Sequence, residues 1–245
     1  MKLHEQIIND LKAKSSPEKA KSMSRYFKTG VGEYGEGDLF LGVSVPDQRA
    51  IVKRYSTHAD TNTVSTLLDS KYHEVRLTGV LLAVACFTTS IKDNNAGTAI
   101  KRPTTKHWLK LYLGKTNRIN NWDLVDSSAP GILGKWLEDK ERTILYRLAK
   151  SKCLWENRIA MVATLHFIRQ NDFKDVFKLS KIFIKHPHDL MHKATGWMLR
   201  EAWKKDATKV EEFLWKHKDL MPRTMLRYAI EKMPTSTRKK MMYKG

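Results

Sequence analysis

Apolar residues recur at helical spacing along almost the whole chain. Two segments, residues 77–87 and 159–168, are apolar nearly all round, which is typical of helices enclosed by other helices. Other segments carry a single apolar stripe, such as the one formed by Val210, Phe213 and Leu214. Alternating apolar and polar runs joined by hairpin turns are absent from the sequence. The pattern predicts an all-α fold.

Helix-start signals divide this pattern into short segments. Ser16-Pro17-Glu18 is typical of an N-cap followed by a first-turn proline and an acidic residue. Four more prolines stand at expected helix starts: Pro46, Pro187, Pro222 and Pro234. No stretch rich in Pro, Ser or Gly separates one part of the chain from another, so we expect a single domain over residues 1–245.

A weak internal repeat makes the fold prediction more specific. Three segments, which begin at Arg76, Arg158 and Lys193, align without gaps, and each runs from a cation into small and apolar residues. Their spacings of 82 and 35 residues are close to two units and one unit of a repeat of about 40 residues. This period predicts a right-handed superhelix of HEAT-like helical hairpins with a concave basic face. Chance similarity among buried helices is the alternative.

The segment from Gly30 to Gly42 interrupts the helical pattern and holds five of the twelve glycines. It lacks the Gly-Lys-Ser/Thr of a phosphate-binding loop and the preceding strand of a dinucleotide fingerprint. Its acidic residues, Glu33, Glu36 and Asp38, would repel phosphate. We therefore expect a flexible loop between helices.

Charge gives the first indication of function. The chain has 45 Lys+Arg against 26 Asp+Glu, a formal net charge of +19, which attracts polyanions, most commonly nucleic acid.

The longest wholly apolar run, Val80 to Phe87, is far shorter than the roughly 18 residues of a membrane span, and no secretory segment opens the sequence. With only two cysteines, Cys86 and Cys153, we expect no disulfide framework and a cytoplasmic protein, associated with the nucleoid when bound to DNA.

Two tryptophan motifs are the candidates for chemistry. On a helix, Trp122 and Asp126 are four residues apart and share a face. A second tryptophan, Trp197, is followed three residues later by Arg200. By spacing alone, most tryptophans are core residues and most helical aspartates are solvated or cap a helix, so a structural role is the alternative.

Several motifs occur together and in the order found in one family. They are Met23-Ser-Arg-Tyr-Phe-Lys28, Phe40-Leu-Gly-Val with Pro46 and Arg49, Trp122-Asp-Leu-Val-Asp126, Leu154-Trp-Glu-Asn-Arg158-Ile-Ala and Lys193-Ala-Thr-Gly-Trp197-Met-Leu-Arg-Glu201. From about residue 20 to residue 232, the chain resembles the bacterial DNA alkylation repair family, the AlkD-type DNA glycosylases built from HEAT-like repeats.

The resemblance implies a reaction and a site. Active members of the family hydrolyse the N-glycosidic bond of cationic alkylated purines, chiefly N3-methyladenine and N7-methylguanine, in duplex DNA. By motif match, Trp122, Asp126 and Trp197 correspond to the catalytic cluster. Arg158 corresponds to the active-site arginine, and Tyr26 to a tyrosine that approaches the DNA. The glycine-rich segment is longer than in the best-known branch of the family, which bears on the match at Tyr26.

Physical chemistry is consistent with these roles. An alkylated purine is already cationic and leaves readily, while positive charge develops on the sugar. A fixed carboxylate at Asp126 would stabilise that charge and orient water, and the indoles of Trp122 and Trp197 would attract the cationic base. A guanidinium at Arg158 suits a phosphate. We expect neither a metal nor another cofactor.

Other cations extend the expected DNA-binding surface. Arg200, Arg223 and Arg227 are candidates, the last two on one helical face, with surface salt bridges as their alternative role. The histidines show no metal-ligand spacing, and His4, His58, His73 and His217 are interpreted as surface residues. The expected protein is a monomer that binds alkylated duplex DNA. A non-catalytic HEAT-repeat protein that recognises DNA structure, and a protein-interaction scaffold, are the alternative functions.

Overall fold

The computed structural model describes residues 1–95 and 103–243, and this part of the chain is mainly helical. It contains fourteen α-helices and no strand, which confirms the all-α prediction. One isolated bridge pairs Leu39 with Tyr72. The contacts divide the chain into two compact units, Met1–Ile132 (the first unit) and Leu133–Gly245 (the second unit). The expectation of one domain stays a prediction.

Seven helices form the first unit. They are α1 (Leu3–Ala13), α2 (Pro17–Tyr26), α3 (Val45–Tyr55), α4 (Thr61–Leu68), α5 (His73–Asn95), α6 (Thr105–Gly114) and α7 (Trp122–Asp126). The long helix α5 packs against α3, α4 and α6, and its apolar residues are buried on nearly all sides, as the sequence predicts. The core of this unit therefore lies around α5.

Seven more helices form the second unit. They are α8 (Thr143–Ala149), α9 (Leu154–Arg169), α10 (Lys174–Phe183), α11 (Asp189–Trp203), α12 (Ala207–His217), α13 (Arg223–Ile230) and α14 (Thr235–Met242). A π-helical turn, Pro130–Gly134, precedes them. Helix α9 packs against α8, α10 and α11, and α11 packs in turn against α12 and α13. The repeat segments that begin at Arg158 and Lys193 are the buried parts of α9 and α11.

The expected helix starts are confirmed. Ser16 caps α2 by accepting a hydrogen bond from the Lys19 amide, and Pro17 is the first helical residue. The other four prolines lie at or just before a helix start: Pro46 in α3, Pro187 before α11, Pro222 before α13 and Pro234 before α14. Local sequence chemistry thus sets where these helices begin.

A close approach at one glycine brings α11 against α13. A Cβ atom on Gly196 would lie 2.4 Å from the Met225 carbonyl oxygen and 2.5 Å from the Tyr228 Cβ atom, far inside van der Waals contact. Only glycine allows the two backbones to pack this closely. Because Trp197 is the next residue, this contact also fixes the backbone that carries the second indole.

The segment Gly30–Gly42 lies between α2 and α3, as predicted, and its second half is tied to the core of the first unit. The buried Glu74 carboxylate accepts hydrogen bonds from the amides of Leu41, Gly42 and Val43, at 2.9, 2.7 and 3.2 Å. Gly42 has a φ of 80°, which favours glycine. The loop therefore has a defined course where it meets α5.

Among the described residues, one helix meets the length and composition expected of a membrane span. It is the His73–Asp93 part of α5, and 67% of its most apolar window is buried inside the protein. The core helix of a folded unit has the same properties, so this helix is weak support for a membrane role.

Candidate active site

The short helix α7 presents two of the residues named from the sequence. The Asn121 side chain caps α7 by accepting a hydrogen bond from the Trp122 amide at 2.8 Å. Leu124 and Val125 are fully buried, whereas Trp122 and Asp126 are only partly buried. The helix thus places the indole and the carboxylate four residues apart, with its apolar side in the core.

An aromatic cluster surrounds Trp122. The Phe27 ring stacks on the indole with a centroid distance of 5.3 Å and an interplanar angle of 19°. Tyr26 meets the same indole edge to face at 6.0 Å, and 66% of Tyr26 is exposed to solvent. The structure therefore brings together Tyr26 and Trp122, two residues that the sequence motifs named separately.

Behind this cluster lies a buried network of charges. His73 is completely buried, with Nδ1 3.1 Å from Asp38 Oδ2 and Nε2 2.8 Å from Asp123 Oδ2. Arg76 donates to the other oxygen of Asp38 at 2.5 Å, and the Asn121 amide donates to Asp38 at 3.3 Å. These five side chains, which we call the α7 network, connect the loop after α2, the start of α5 and the start of α7.

Both ring nitrogens of His73 face carboxylates, so the imidazole carries two protons and a positive charge. Burial alone lowers the pKa of His73, but the hydrogen bonds to Asp123 and Asp38 outweigh it and raise the pKa from 6.5 to about 9. For Asp38, burial raises the pKa, whereas the bond to His73 and the charge of Arg76 hold it below its usual value. The raised pKa keeps His73 protonated at neutral pH, and the lowered pKa keeps Asp38 ionised.

The α7 network was missed by the sequence interpretation. The prediction that His73 is a surface residue is wrong, and Asp38, expected in a phosphate-repelling loop, is buried in an ion pair with Arg76. A signal did exist. His73, Glu74 and Arg76 stand at the start of a helix that is apolar nearly all round, where no solvated face is left for them.

The charge of Asp126 reaches the core of the first unit. Burial is the main reason that the pKa of Tyr112 is raised, and the negative charge of Asp126 adds to it. The Tyr112 hydroxyl lies 2.9 Å from the Ser128 Oγ, and Ser128 donates to the Leu124 carbonyl at 2.7 Å. Tyr112 and Ser128 thereby support the C-terminal end of α7, where Asp126 lies.

In the second unit, Trp197 is held by a carboxylate. Its indole Nε1–H donates to Glu201 Oε1 at 3.1 Å, one turn further along α11. Glu201 also accepts from Lys204 at 2.8 Å and lies 3.8 Å from Arg200 Nε. The Arg200 side chain is only 17% exposed and pairs with Glu231. Arg200 thus forms salt bridges, as in the alternative that the sequence left open, and its contact with DNA stays a prediction.

The remaining candidate arginines differ in exposure. Arg158 is 5% exposed and donates from Nη1 to the Leu190 carbonyl at 2.7 Å, so its predicted contact with a phosphate stays a prediction. Arg223 and Arg227 are exposed on α13, as expected. Arg227 lines an open groove of about 620 Å³ between α13 and α14 together with Arg238 and Lys239.

Potential metal ligands are scattered over the described residues. Within residues 1–95 and 103–243, no three His, Cys, Asp or Glu side chains are grouped as a metal site. The expectation of a reaction without a metal rests on the chemistry of the leaving group and stays a prediction.

The class of protein follows from comparison with known families, to which a strongly basic all-α chain with a tryptophan and an aspartate on a short helix can now be matched. The family model described as DNA alkylation repair enzyme matches residues 7–233, so this chain belongs to that family. Its fold is similar to that of a solved structure titled "Predicted DNA alkylation repair enzyme from Enterococcus faecalis". The two share 18% identity and a TM-score of 0.67, over 91% of this chain and 98% of that one. No curated protein matches the sequence.

Proposed function

We propose that the protein is a DNA glycosylase that hydrolyses the N-glycosidic bond of cationic alkylated purines, the N3-methyladenine and N7-methylguanine class, in duplex DNA. The observation that carries the proposal is the pairing of the exposed Tyr26 with the Trp122 indole at 6.0 Å, on the helix that also bears Asp126. Membership of the DNA alkylation repair enzyme family and a net charge of +19 support DNA as the partner.

Asp126 is assigned the central chemical role. As the glycosidic bond breaks, positive charge develops on the deoxyribose, and a fixed carboxylate stabilises that charge and orients the attacking water. A cationic purine needs no strong general acid to leave, and for the same reason we propose that the reaction uses no metal. The partial burial of Asp126 supports this role, because charge interactions are weaker in open solvent.

The two tryptophans are assigned to recognition of the cationic base. An indole face attracts a cation by roughly 0.5 to 2 kcal/mol, which favours alkylated over neutral purines. For Trp122, the neighbouring Tyr26 extends the aromatic surface into solvent. For Trp197, the hydrogen bond to the Glu201 carboxylate adds negative charge beside the indole.

Cations of the second unit are assigned to the phosphates. The exposed Arg227, with Arg238 and Lys239 along the same groove, suits backbone contacts that position the duplex. Arg223 keeps part of its guanidinium occupied, because it donates to the Met242 carbonyl at 2.7 Å. The phosphate role of Arg158 rests on its motif alone.

The repeat architecture, the oligomeric state and the cellular location are proposed together with this function. We propose a right-handed array of HEAT-like repeats, since the three aligned segments all lie on buried helices that pack against their neighbours in sequence. We further propose a cytoplasmic monomer, associated with the nucleoid when bound to DNA.

The test is release of a free base from duplex DNA that carries N7-methylguanine. Asp126→Asn is expected to slow release by at least roughly a hundredfold, because it removes the charge that stabilises the transition state, while the affinity for the duplex changes little. Asp139→Asn is the matched control, since Asp139 is an exposed carboxylate of the second unit paired with Lys140. An Asp126→Asn protein that excises at the wild-type rate would remove this residue from the mechanism.

A second function is favoured by the basic groove beside Arg227. The protein would then bind nucleic acid without catalysis and recognise DNA structure. This alternative predicts binding that weakens steeply with salt, equal affinity for alkylated and normal duplex, and no base release by the wild-type protein. The release assay therefore separates the two functions.

A further inference from the structure

We propose that His73 is a positioning residue: its imidazolium, bridging Asp38 and Asp123, holds α7 in the geometry that Trp122 and Asp126 need for catalysis. This inference rests on the proposed glycosylase function and deepens it. His73 has no contact with solvent and so no direct access to a nucleotide. Its effect on the reaction must pass through the elements that it connects.

Two hydrogen bonds of the α7 network reach α7, one on each side of Trp122. His73 Nε2 donates to Asp123, the residue after Trp122, at 2.8 Å. Asp38, which accepts from His73 Nδ1, also accepts from Asn121, the residue before Trp122. Because α7 is only five residues long, it has little intrinsic stability as a helix. Its orientation therefore depends on contacts with the rest of the unit, and these two bonds are the ones that flank Trp122.

Stacked rings provide a second connection to Trp122. The His73 ring lies 4.8 Å from the Phe40 ring with an interplanar angle of 21°, and 4.7 Å from the Phe27 ring. Phe27 is the ring that stacks on the Trp122 indole. Aromatic faces attract a cation, so the charged state of His73 favours this packing. Loss of the charge would weaken both connections together.

The charges around His73 make its links to α7 depend on its protonation. Asp38 approaches from the loop after α2 and Asp123 from α7, while Arg76 lies on the same helix as His73. Arg118 is the next cation, and like Arg76 it donates to the Ser70 carbonyl. A neutral imidazole has a single N–H and can donate to only one of the two carboxylates. Deprotonation would therefore release one carboxylate, and with it one of the links to α7.

The first experiment separates catalysis from affinity. His73→Gln is expected to lower the single-turnover rate of N7-methylguanine release by roughly tenfold to hundredfold, the cost of a small misplacement of reacting groups. Its dissociation constant for an uncleavable duplex is expected to change less than about twofold, because no exposed cation is altered. Asp123→Asn, which keeps an acceptor for His73 but removes one charge, is the milder variant and is expected to show a smaller loss of the same kind.

The matched control is Asp175→Asn in the second unit. Asp175 is also a buried carboxylate and accepts from Arg142 at 2.7 Å and from the Tyr146 hydroxyl. This variant is expected to lower the melting temperature comparably but to leave the release rate within about twofold of wild type, because it does not touch α7. The proposal is overturned if His73→Gln and Asp123→Asn excise like the wild type, or lose rate only as far as Asp175→Asn does.

A second measurement needs no DNA and so stands apart from the proposed function. The protein is labelled with fluorotryptophan, and the Trp122 signal in the fluorine NMR spectrum is assigned from Trp122→Phe. In the wild type, this signal is expected to shift as pH rises through the pKa of His73, about 9, and the shift is expected to vanish in His73→Gln. Trp203, which donates to Glu211 in the second unit, is the internal control.

These outcomes distinguish the two proposals. A wild-type protein that releases no base, but whose Trp122 signal titrates through His73, would refute the glycosylase function and leave the coupling of His73 to Trp122 intact. A Trp122 signal that does not respond to pH in the wild type, or that responds equally in His73→Gln, would overturn the positioning role.

Discussion

The two tryptophans assigned to base recognition are held by opposite means. Trp122 lies on a five-residue helix that is joined to the rest of its unit by largely buried charges and stacked rings. Trp197 lies on a fifteen-residue helix and is held by a hydrogen bond to Glu201, which shares its charge with Lys204 near the surface. The first indole is therefore fixed by side chains distant in the sequence, and the second by the packing of its own helix against α13 and by one hydrogen bond within that helix.

Burial decides how much each arrangement contributes. Removing one partner from a buried ion pair leaves an uncompensated charge and typically costs 3–5 kcal/mol, about five times the value of an exposed pair. The α7 network belongs to the first class, since His73 and Arg76 are inaccessible to solvent. The ion pair of Glu201 with Lys204 is closer to the exposed class.

Arg76→Leu is expected to be the most damaging change. It removes the guanidinium from Asp38 and from the Ser70 carbonyl, and it leaves two carboxylates opposite one imidazolium. We expect the free energy of unfolding to fall by about 3–5 kcal/mol in urea titrations followed by circular dichroism.

Arg54→Leu is the control for this experiment. Arg54 is largely exposed and pairs with Asp10 at 3.0 Å, so its loss is expected to cost less than about 1 kcal/mol. Equal costs for the two variants would show that the α7 network contributes no more than a surface ion pair, and the contrast between the two tryptophans would fail.

The second prediction concerns pH. The pKa of His73 is about 9 in the folded protein against 6.5 when unfolded, so the unfolded state loses its proton first. The stabilisation from the charged His73 is fully present below 6.5, declines above it and is lost as pH rises through 9. Its full size is about 3 kcal/mol.

The measurement is the difference in unfolding free energy between wild type and His73→Gln from just below pH 6.5 to above pH 9, in which titrating groups that do not contact His73 cancel. Within this range the difference is expected to be largest at the acidic end and to shrink as the pH rises. A difference that grows with pH would mean that His73 is neutral in the folded state.

Local features of the fold were predictable from the sequence, because their causes are local. The cap at Ser16, the prolines before α13 and α14, and the shared face of Trp122 and Asp126 each depend on residues within one turn. The all-α class follows from the same short-range periodicity. Such features need no knowledge of which helices meet.

The α7 network was not predictable in this way. Asp38 precedes His73 by 35 residues and Asp123 follows it by 50, so no spacing rule joins them. The contacts of two buried arginines were not predictable either. Arg76 and Arg158 begin two of the aligned repeat segments, and each donates to a backbone carbonyl, of Ser70 and Leu190 respectively. A cation at the start of an apolar helix should therefore first be considered as a donor to a buried backbone carbonyl, and only then as a contact for a phosphate.

The smallest effect on stability and activity is expected for Glu201→Gln. The effect on stability should also be sensitive to salt. Glu201→Gln keeps an oxygen that can accept from the Trp197 indole but removes the charge beside it. We expect the unfolding free energy to change by less than about 1 kcal/mol and base release to slow less than about fivefold. Because the Glu201 side chain is partly exposed, its effect on the unfolding free energy should disappear near 1 M salt, where the screening length is only about 3 Å. The loss of unfolding free energy in His73→Gln should persist there, since buried charges are screened little. A salt-resistant loss in Glu201→Gln would place the second indole under the same kind of internal control as the first.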